Sequence, residues 1–226
     1  MHSVELRAQL KLVDLHRRVV ESVSTGMPGL DRLTGGLPRG AVTEITGPAS
    51  SGRTSIALSI FAEATARGES IALIDGRDAF TPHSAVRAGV DLKRLLWIRC
   101  NRMDGMDAVL KAADLLLKGG GFGVVAVDIT DLPASNLENV PPQTWFRFQR
   151  TIENTPTILL IIGQKPVAQS SAALVLRVGI EQPVWSGTPI PSHGILLGGS
   201  EVNAEVVRHR QLRRGHKRHV RLYLHS

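Results

Sequence analysis

The chain has 226 residues, of which 42% are hydrophobic and 21% charged, a length that suits one large domain or one domain with short appendages. Its single cysteine, Cys100, cannot form an internal disulfide, and the charged first twenty residues lack the apolar stretch of a signal peptide. No apolar run approaches the roughly 20 residues that a membrane helix needs. We therefore expect a cytoplasmic protein that does not enter the membrane.

The positive charge is concentrated at the C-terminal end of the chain. Residues 206–226 contain seven Arg or Lys, four His and no acid, while the other 205 residues carry 20 basic and 20 acidic side chains. Such a segment suits single-stranded DNA or the phosphates of a neighbouring nucleotide site. A solvated basic edge hairpin is the alternative, because charges on edge strands also deter aggregation. The residues that we expect to bind DNA or phosphate are Arg208, Arg210, Arg213, Arg214, Lys217 and Arg218.

Apolar runs alternate with helical stretches along the chain, which is typical of an α/β domain with a mainly parallel sheet. Residues 1–21 predict an amphipathic N-terminal helix and linker, which either packs on a partner or folds back, and residues 22–226 predict one core domain. Strands are predicted at "AVTEIT" (41–46), "SIALID" (70–75), "FGVVAVDIT" (122–130), "TPTILLIIGQ" (155–164) and "AALVLRVGI" (172–180). Helices are predicted at "TSIALSIFAEATARG" (54–68), "MDAVLKAADLLLKGGG" (106–121) and "TWFRFQRTIEN" (144–154).

The basic segment at the end of the chain predicts a β-hairpin, residues 206–226. "VVRHRQL" and "HVRLYL" each alternate in polarity, and "RRGHK" between them predicts a turn at Gly215. This alternation places Val207, Leu222 and Leu224 against the sheet. The side chains expected to project from the other face, as a cationic strip, are Arg208, Arg210, Arg221 and Tyr223.

The stretch "ITGPASSGRTS", residues 45–55, joins a predicted strand to a predicted helix and nearly matches the phosphate-loop pattern GxxxxGK[ST]. Glycines in such a loop let successive N–H groups converge on phosphate oxygens, and the following helix adds its positive end. Thr54 can place its hydroxyl on Mg²⁺, and Asp128, which closes the third strand, can hold the ion through water. A tight connection without a ligand is the alternative. The candidate nucleotide-binding residues in this loop are Gly47, Ser50, Ser51, Gly52, Arg53, Thr54 and Ser55.

Several motifs in order resemble the core ATPase domain of bacterial RecA, and the resemblance covers residues 22–224. They are "VSTGMPGLDRLTGGLPRGAVTEITGPASSGRTS", "IALIDGRDAFTP", "RAGVDLKRLLW", "GVVAVD" and "ILLIIGQ". The resemblance implies a RecA-like P-loop fold that holds ATP and Mg²⁺. It also implies that Gln164 senses the γ-phosphate, and that Arg208 and Arg210 match two lysines that reach the ATP of a neighbouring subunit.

The departures from the RecA pattern affect the chemistry more than the fold. The loop lysine is replaced by Arg53, whose planar guanidinium is wider than an ammonium. By resemblance, the carboxylate that activates water falls at Arg77, the adenine-stacking tyrosine at Ser84 and a neighbouring aspartate at Thr81. Loss of a general base typically costs about 100 to 10,000-fold in rate. We therefore expect weak nucleotide binding or none, and no efficient ATP hydrolysis, although Asp75 or Asp78 is a conceivable substitute base.

The segments that match the DNA-binding loops of RecA are short. "ITDLPASNLENVPPQ" has no Lys or Arg, and only "KPVAQSS" separates Gln164 from the next strand. A worn nucleotide site, short loops and a basic end are similar to the ImuA family, RecA-related accessory proteins of the damage-inducible bacterial mutasome. That resemblance implies RecA and an ImuB-like polymerase homologue as partners, with self-association as well. The alternative function is a DNA-dependent ATPase of the recombinase or KaiC-like type.

Overall fold

The computed structural model describes residues 21–76, 78–100, 105–130, 132–133, 136–137, 139–186, 196–210 and 219–225. The predicted N-terminal helix and the turn at Gly215 lie outside these ranges. The helices are α1 (Pro28–Thr34), α2 (Arg53–Ala66), α3 (Pro82–Arg87), α4 (Gly105–Gly119) and α5 (Pro142–Ile152). The strands are β1 (Ser22–Val23), β2 (Leu37–Pro38), β3 (Val42–Thr46), β4 (Ile71–Asp75), β5 (Leu95–Arg99), β6 (Val124–Asp128), β7 (Ile158–Gly163), β8 (Ala172–Ser186), β9 (Leu196–His209) and β10 (His219–His225).

Eight of these strands form one sheet in the order β10-β9-β8-β3-β7-β6-β4-β5, and β1 pairs with β2 separately. The strands from β8 to β5 in this order are all parallel, while β9 and β10 run antiparallel to their neighbours. Parallel neighbours bring their carboxyl ends to one edge of the sheet, where ligands bind in folds of this type. The predicted α/β fold with a mainly parallel sheet flanked by helices is confirmed.

Side chains alternate between the two faces of the sheet and form two apolar layers. Along β4, Ile71 and Leu73 pack in the layer that contains α1, α2 and α3, while Ala72 and Ile74 pack in the layer that contains α4 and α5. Both faces of the inner parallel strands β3, β4, β6 and β7 are therefore covered. This explains why these strands appear in the sequence as continuous apolar runs.

The C-terminal hairpin has a different register from the one that the sequence pattern predicts. Strand β10 pairs with residues 199–205 of β9, and His219 lies opposite Glu205. The following segment 206–209 extends beyond the described part of β10 and pairs with β8. The register between β8 and β9 shifts at Val175/Leu176, so that Val206 lies opposite Leu176 and Arg208 opposite Val175. Val207 is the extra residue of this irregularity. It is 38% exposed while Val206 is 4% exposed, so the expectation that Val207 faces the sheet is wrong.

Other parts of the hairpin prediction agree with the structure. Leu222 and Leu224 are buried, whereas Arg221 and Tyr223 project into solvent. Arg221 does not contribute free positive charge, however, because it forms ion pairs with Glu181 and Glu201. Acidic residues of the neighbouring strands β8 and β9 thus pair with Arg221 of β10, and the described part of this face carries charge of both signs.

Candidate nucleotide site

The loop between β3 and α2 has the shape of a phosphate loop. Ser50 and Gly52 have positive φ angles, 58° and 90°, and Gly52 is the residue that precedes α2. A Cβ on Gly47 would collide with the carbonyl oxygen of Val178, and one on Gly52 would collide with Leu224, so only glycine fits at either place. The N–H groups of Arg53, Thr54 and Ser55, in the first turn of α2, lie at the positive end of the helix.

Ser51 supports the fit of a phosphate to this loop. The residue is 1% exposed, and its Oγ has no hydrogen-bond partner among the described residues. A buried hydroxyl without a partner is costly, and a phosphate oxygen could supply one. Thr54 and Ser55 are exposed at the start of α2, and Ser50 is exposed in the loop itself. The loop residues therefore fit a phosphate group, with Thr54 available to a metal ion.

The arginine that replaces the loop lysine is directed into the protein. Arg53 is 5% exposed, and its Nη1 donates a hydrogen bond of 2.6 Å to the carbonyl oxygen of Gly163 at the end of β7. The N–H of Gly47 donates to the same oxygen at 3.3 Å. The guanidinium therefore ties the phosphate loop to the end of β7, immediately before the exposed Gln164. This hydrogen bond uses one N–H donor of a guanidinium, whose planar fork differs in shape from the compact ammonium of lysine.

Two carboxylates meet at the carboxyl ends of adjacent strands. Asp128 on β6 lies in register with Asp75 on β4. Burial is the main reason that the pKa of Asp128 lies above its ordinary value, and the negative charge of Asp75 raises it further. Hydrogen bonds from Thr130 and the positive charge of Arg53 lower the pKa, but by less. Asp128 and Thr54 line one cavity of about 150 Å³, which also contains Thr81 and Ser84. The structure thus brings the two predicted metal ligands together at one cavity.

The carboxylates considered as substitute bases are engaged elsewhere. Asp75 accepts hydrogen bonds from the N–H groups of Ala79 and Phe80, at 3.0 and 2.8 Å, and from Trp97 Nε1 at 3.2 Å. Asp78 accepts two hydrogen bonds of 2.6 Å from Arg99, and this bidentate contact lowers the pKa of Asp78. Asp75 therefore fixes the turn after β4, and Asp78 is an ion-pair partner. Arg77, at the place of the water-activating carboxylate, lies outside the described residues.

A second cavity, of about 240 Å³, lies over the loop itself. Its walls are residues 50–55 on one side, and Gly199, Ser200, Val202 and Leu224 on the other. The sequence pattern did not predict that β9 and β10 approach the loop. The register of the C-terminal hairpin was the missing information, because it decides which residues of these strands reach Gly52.

A buried glutamate on β3 is a further feature that sequence reasoning missed. Glu44 is 0% exposed, and its Oε1 accepts hydrogen bonds from the N–H groups of Val167 and Ala168, at 2.7 and 2.9 Å. Its Oε2 has no hydrogen-bond partner among the described residues. Burial raises the pKa of Glu44 by more than the two backbone hydrogen bonds and the charge of Arg208 lower it. The signal in the sequence was an acidic residue inside the apolar run "AVTEIT", because acidic side chains are rarely buried unless they are paired or hydrogen-bonded.

The basic residues divide into two groups. Arg208 Nη1 donates to the carbonyl oxygen of Gln169 at 3.0 Å, and Arg210 Nη2 donates to that of Ser170 at 3.2 Å. These two arginines thus hold the segment that follows Gln164, and Arg208 is close enough to Glu44 for its charge to oppose the rise in the pKa of that carboxyl. Arg213, Arg214, Lys217 and Arg218 lie outside the described residues. His209, between the two arginines, contacts the carbonyl oxygen of Thr34 at 2.9 Å, and burial lowers its pKa.

Two bacterial RecA proteins are similar to this chain in sequence. Protein RecA of Rhodospirillum rubrum is 34% identical over 161 residues, 64% of this chain and 43% of that protein. Protein RecA of Ectopseudomonas oleovorans is 39% identical over 111 residues, 48% of this chain and 31% of that protein. The chain therefore spans less than half the length of these RecA proteins.

Solved structures show the same architecture. A KaiC-like protein from the hyperthermophilic archaeon Pyrococcus horikoshii matches with a TM-score of 0.59 and 15% identity, over 90% of this chain and 94% of that one. At this identity the likeness shows the fold alone. In the part of the chain that the structure describes, no helix is long and apolar enough to cross a membrane. The family model of the RecA N-terminal domain matches residues 5–139, and the chain therefore belongs to the RecA family.

Proposed function

We propose that this chain is a RecA-family accessory protein that works by binding partners and does not hydrolyse ATP efficiently. Its role on this proposal is in the DNA-damage response and translesion mutagenesis, beside RecA and an ImuB-like polymerase subunit. Nucleotide, where it binds, is held weakly by the loop residues, with Thr54 and Asp128 as the ligands of Mg²⁺. Single-stranded DNA contacts the basic segment that follows β9.

The observation that carries the proposal is the orientation of Arg53. Its guanidinium is buried and bonded to the carbonyl oxygen of Gly163, and we infer that a triphosphate recruits this charge only by displacing that hydrogen bond. Breaking a buried, charge-assisted hydrogen bond costs about 1.5–3 kcal/mol, which is taken from the affinity for nucleotide. The engagement of Asp75 and Asp78 supports the same conclusion for hydrolysis.

Release of phosphate from ATP at steady state, with and without single-stranded DNA, tests the catalytic half of the proposal. We expect the parent chain to release no more phosphate than Thr54→Ala, whose loop lacks the metal-binding hydroxyl, and DNA to make no difference. Arg53→Lys restores the loop ammonium, yet we expect it to remain inactive because a base is still missing. DNA-stimulated release by the parent, lost in Thr54→Ala, would instead establish the DNA-dependent ATPase.

The partner half is tested on the same preparations by pull-down with RecA and with an ImuB-like subunit. We expect Thr54→Ala and the parent chain to retain each partner equally, because an accessory role does not depend on turnover. Failure of the parent to retain either protein would remove the assigned partners while leaving the result for ATP unaffected. The two halves of the proposal can therefore fail separately.

A further inference from the structure

A groove of about 530 Å³ lies at the amino ends of the parallel strands. It is lined where β3, β7 and β8 begin, by Ala41, Pro156 and Ala173, and at the C-terminal end of α5, by Gln149 and Glu153. The phosphate loop follows the carboxyl end of β3, so the groove lies at the opposite edge of the sheet from the nucleotide site. The groove and the two cavities at the phosphate loop share no lining residue.

The described part of the chain begins in this groove. Glu21, the first described residue, is part of the lining. Its carbonyl oxygen accepts a hydrogen bond of 2.8 Å from the N–H of Arg39, which extends the pairing of β1 with β2 by one residue. Residues 14–20 are therefore tethered at the groove itself, and seven residues can span up to about 23 Å, which is enough to cross a groove of this volume.

The wall formed by α5 suits a positively charged ligand. The C-terminal end of a helix carries negative partial charge. Glu153 follows the last residue of α5, is exposed, and forms no ion pair within the described residues. The two arginines of the lining are engaged, Arg39 with Glu69 and Arg210 with the carbonyl oxygen of Ser170. The groove thus has a place for a further cation beside Glu153.

The sequence just before Glu21 has the chemistry that this groove fits. Residues 14–20 read "DLHRRVV", so that Arg17 and Arg18 lie three and four positions before Glu21 and two valines directly precede it. The apolar residues of the lining are Pro38, Ala41, Pro156 and Ala173. Burial of the valines on this lining removes apolar surface from water, and the arginines complement the wall at Glu153.

We propose that this groove is occupied by residues 14–20 of the same chain. The Arg17–Arg18 pair meets Glu153 and the end of α5, and Val19 and Val20 lie against the apolar lining. The direct connection to Glu21 gives the segment an effective concentration on the order of millimolar, with no partner required. Residues 1–13 then remain for contact with other proteins. The proposal goes beyond the function proposed above and does not rest on it, and neither the phosphate-release assay nor the pull-down bears on it.

Cleavage of the full chain by thermolysin, which cuts before valine and leucine, measures how well Val19 and Val20 are covered. Each rate is divided by that of a synthetic peptide of the same sequence, and mass spectrometry locates the cut. We expect Glu153→Arg to be cut in this segment about three to ten times faster than the parent, because an attraction of the size of a surface ion pair becomes a repulsion. Asp107→Arg reverses an exposed carboxylate outside the groove, at the start of α4, and should be cut like the parent.

Charge reversal on both sides separates a direct contact from a local loss of structure. Arg17→Glu/Arg18→Glu should be cut faster than the parent, and its combination with Glu153→Arg should restore slow cleavage. Equal rates for the parent and Glu153→Arg, or no restoration in the combined variant, would overturn the proposal. So would cleavage of the parent segment as fast as that of the free peptide.

The dependence on protein concentration separates contact within one chain from contact between two copies. A segment docked on its own core is protected equally across an about hundredfold range of concentration, because the contact is intramolecular. Protection that appears only at the higher concentrations, together with a dimer in sedimentation, would overturn the proposal and assign the groove to residues 14–20 of a second copy.

Discussion

Two charged side chains, Arg53 and Glu44, lie inside this fold on either side of the segment that carries Gln164. Arg53 holds the carbonyl of Gly163, which precedes Gln164, and Glu44 holds the N–H groups of Val167 and Ala168, which follow it. Burying charges is costly unless hydrogen bonds compensate. We infer from their positions that both side chains fix this segment against β3 and the phosphate loop.

Glu44 should give the stability of the protein a pH dependence of its own. Burial raises its pKa in the folded state, so the protonated acid favours folding below the ordinary value of about 4.3, and this contribution is lost as the pH rises through the raised pKa. Glu44→Gln stays neutral. We expect the unfolding free energy of Glu44→Gln to increase relative to that of the parent as pH rises. The increase should be about 1.4 kcal/mol for every unit by which the pKa of Glu44 in the folded state exceeds its pKa in the unfolded state.

Urea denaturation of both proteins between pH 4 and pH 8 measures this difference, and Glu69→Gln is the control of opposite sign. Burial opposes ionisation of Glu69, but hydrogen bonds from Arg39 and Arg67 outweigh it and lower the pKa. Glu69→Gln should therefore lose stability relative to the parent above the ordinary pKa. A stability difference between the parent and Glu44→Gln that stays constant with pH would show that the carboxyl of Glu44 does not titrate in this range.

At the scale of elements, the sequence predicted the parallel half of the sheet better than the antiparallel half. Strands β3, β4, β6 and β7 are buried on both faces, and their continuous apolar runs mark them without reference to any neighbour. The edge strand β5 is half-exposed and was not predicted as a strand. The register of β9 depends on a shift against β8, which no alternation within residues 206–210 could indicate.

The bulge at Val206 and Val207 gives a direct test of that register. Val206→Ala should reduce the unfolding free energy by about 2 kcal/mol, because it removes two buried carbon atoms and leaves a cavity. Val207→Ala removes the same atoms from a side chain that is 38% exposed, and should stay within about 0.5 kcal/mol of the parent. If urea denaturation showed a larger loss of stability for Val207→Ala than for Val206→Ala, the alternation predicted from the sequence, with Val207 facing the sheet, would be correct.

At the scale of the whole molecule, the positive charge of the last 21 residues is not one surface. Arg208 and Arg210 are bonded to carbonyl groups of the segment after Gln164, and Arg221 is paired with two glutamates. The phosphate loop and its fold were predictable from local motifs, whereas these contacts join residues 20 to 40 positions apart and depend on the assembled sheet. On the function proposed above, we therefore expect the charge that meets single-stranded DNA to come from the basic residues of 211–218, which lie outside the described residues.

This division predicts different outcomes for two sets of substitutions. Replacing Arg213, Arg214, Lys217 and Arg218 by Ala should weaken binding of a labelled single-stranded oligonucleotide and make the logarithmic salt dependence shallower by up to about 2.8, since each phosphate contact contributes about 0.7. Arg208→Ala/Arg210→Ala should mainly reduce thermal stability, because it releases two carbonyl groups near the buried Glu44. Anisotropy across a salt series and thermal unfolding of both variants measure the two effects. If Arg208→Ala/Arg210→Ala instead lost the salt dependence of binding and kept its melting temperature, the DNA contact would be made by the arginines of β9. The basic residues of 211–218 would then have no part in binding DNA.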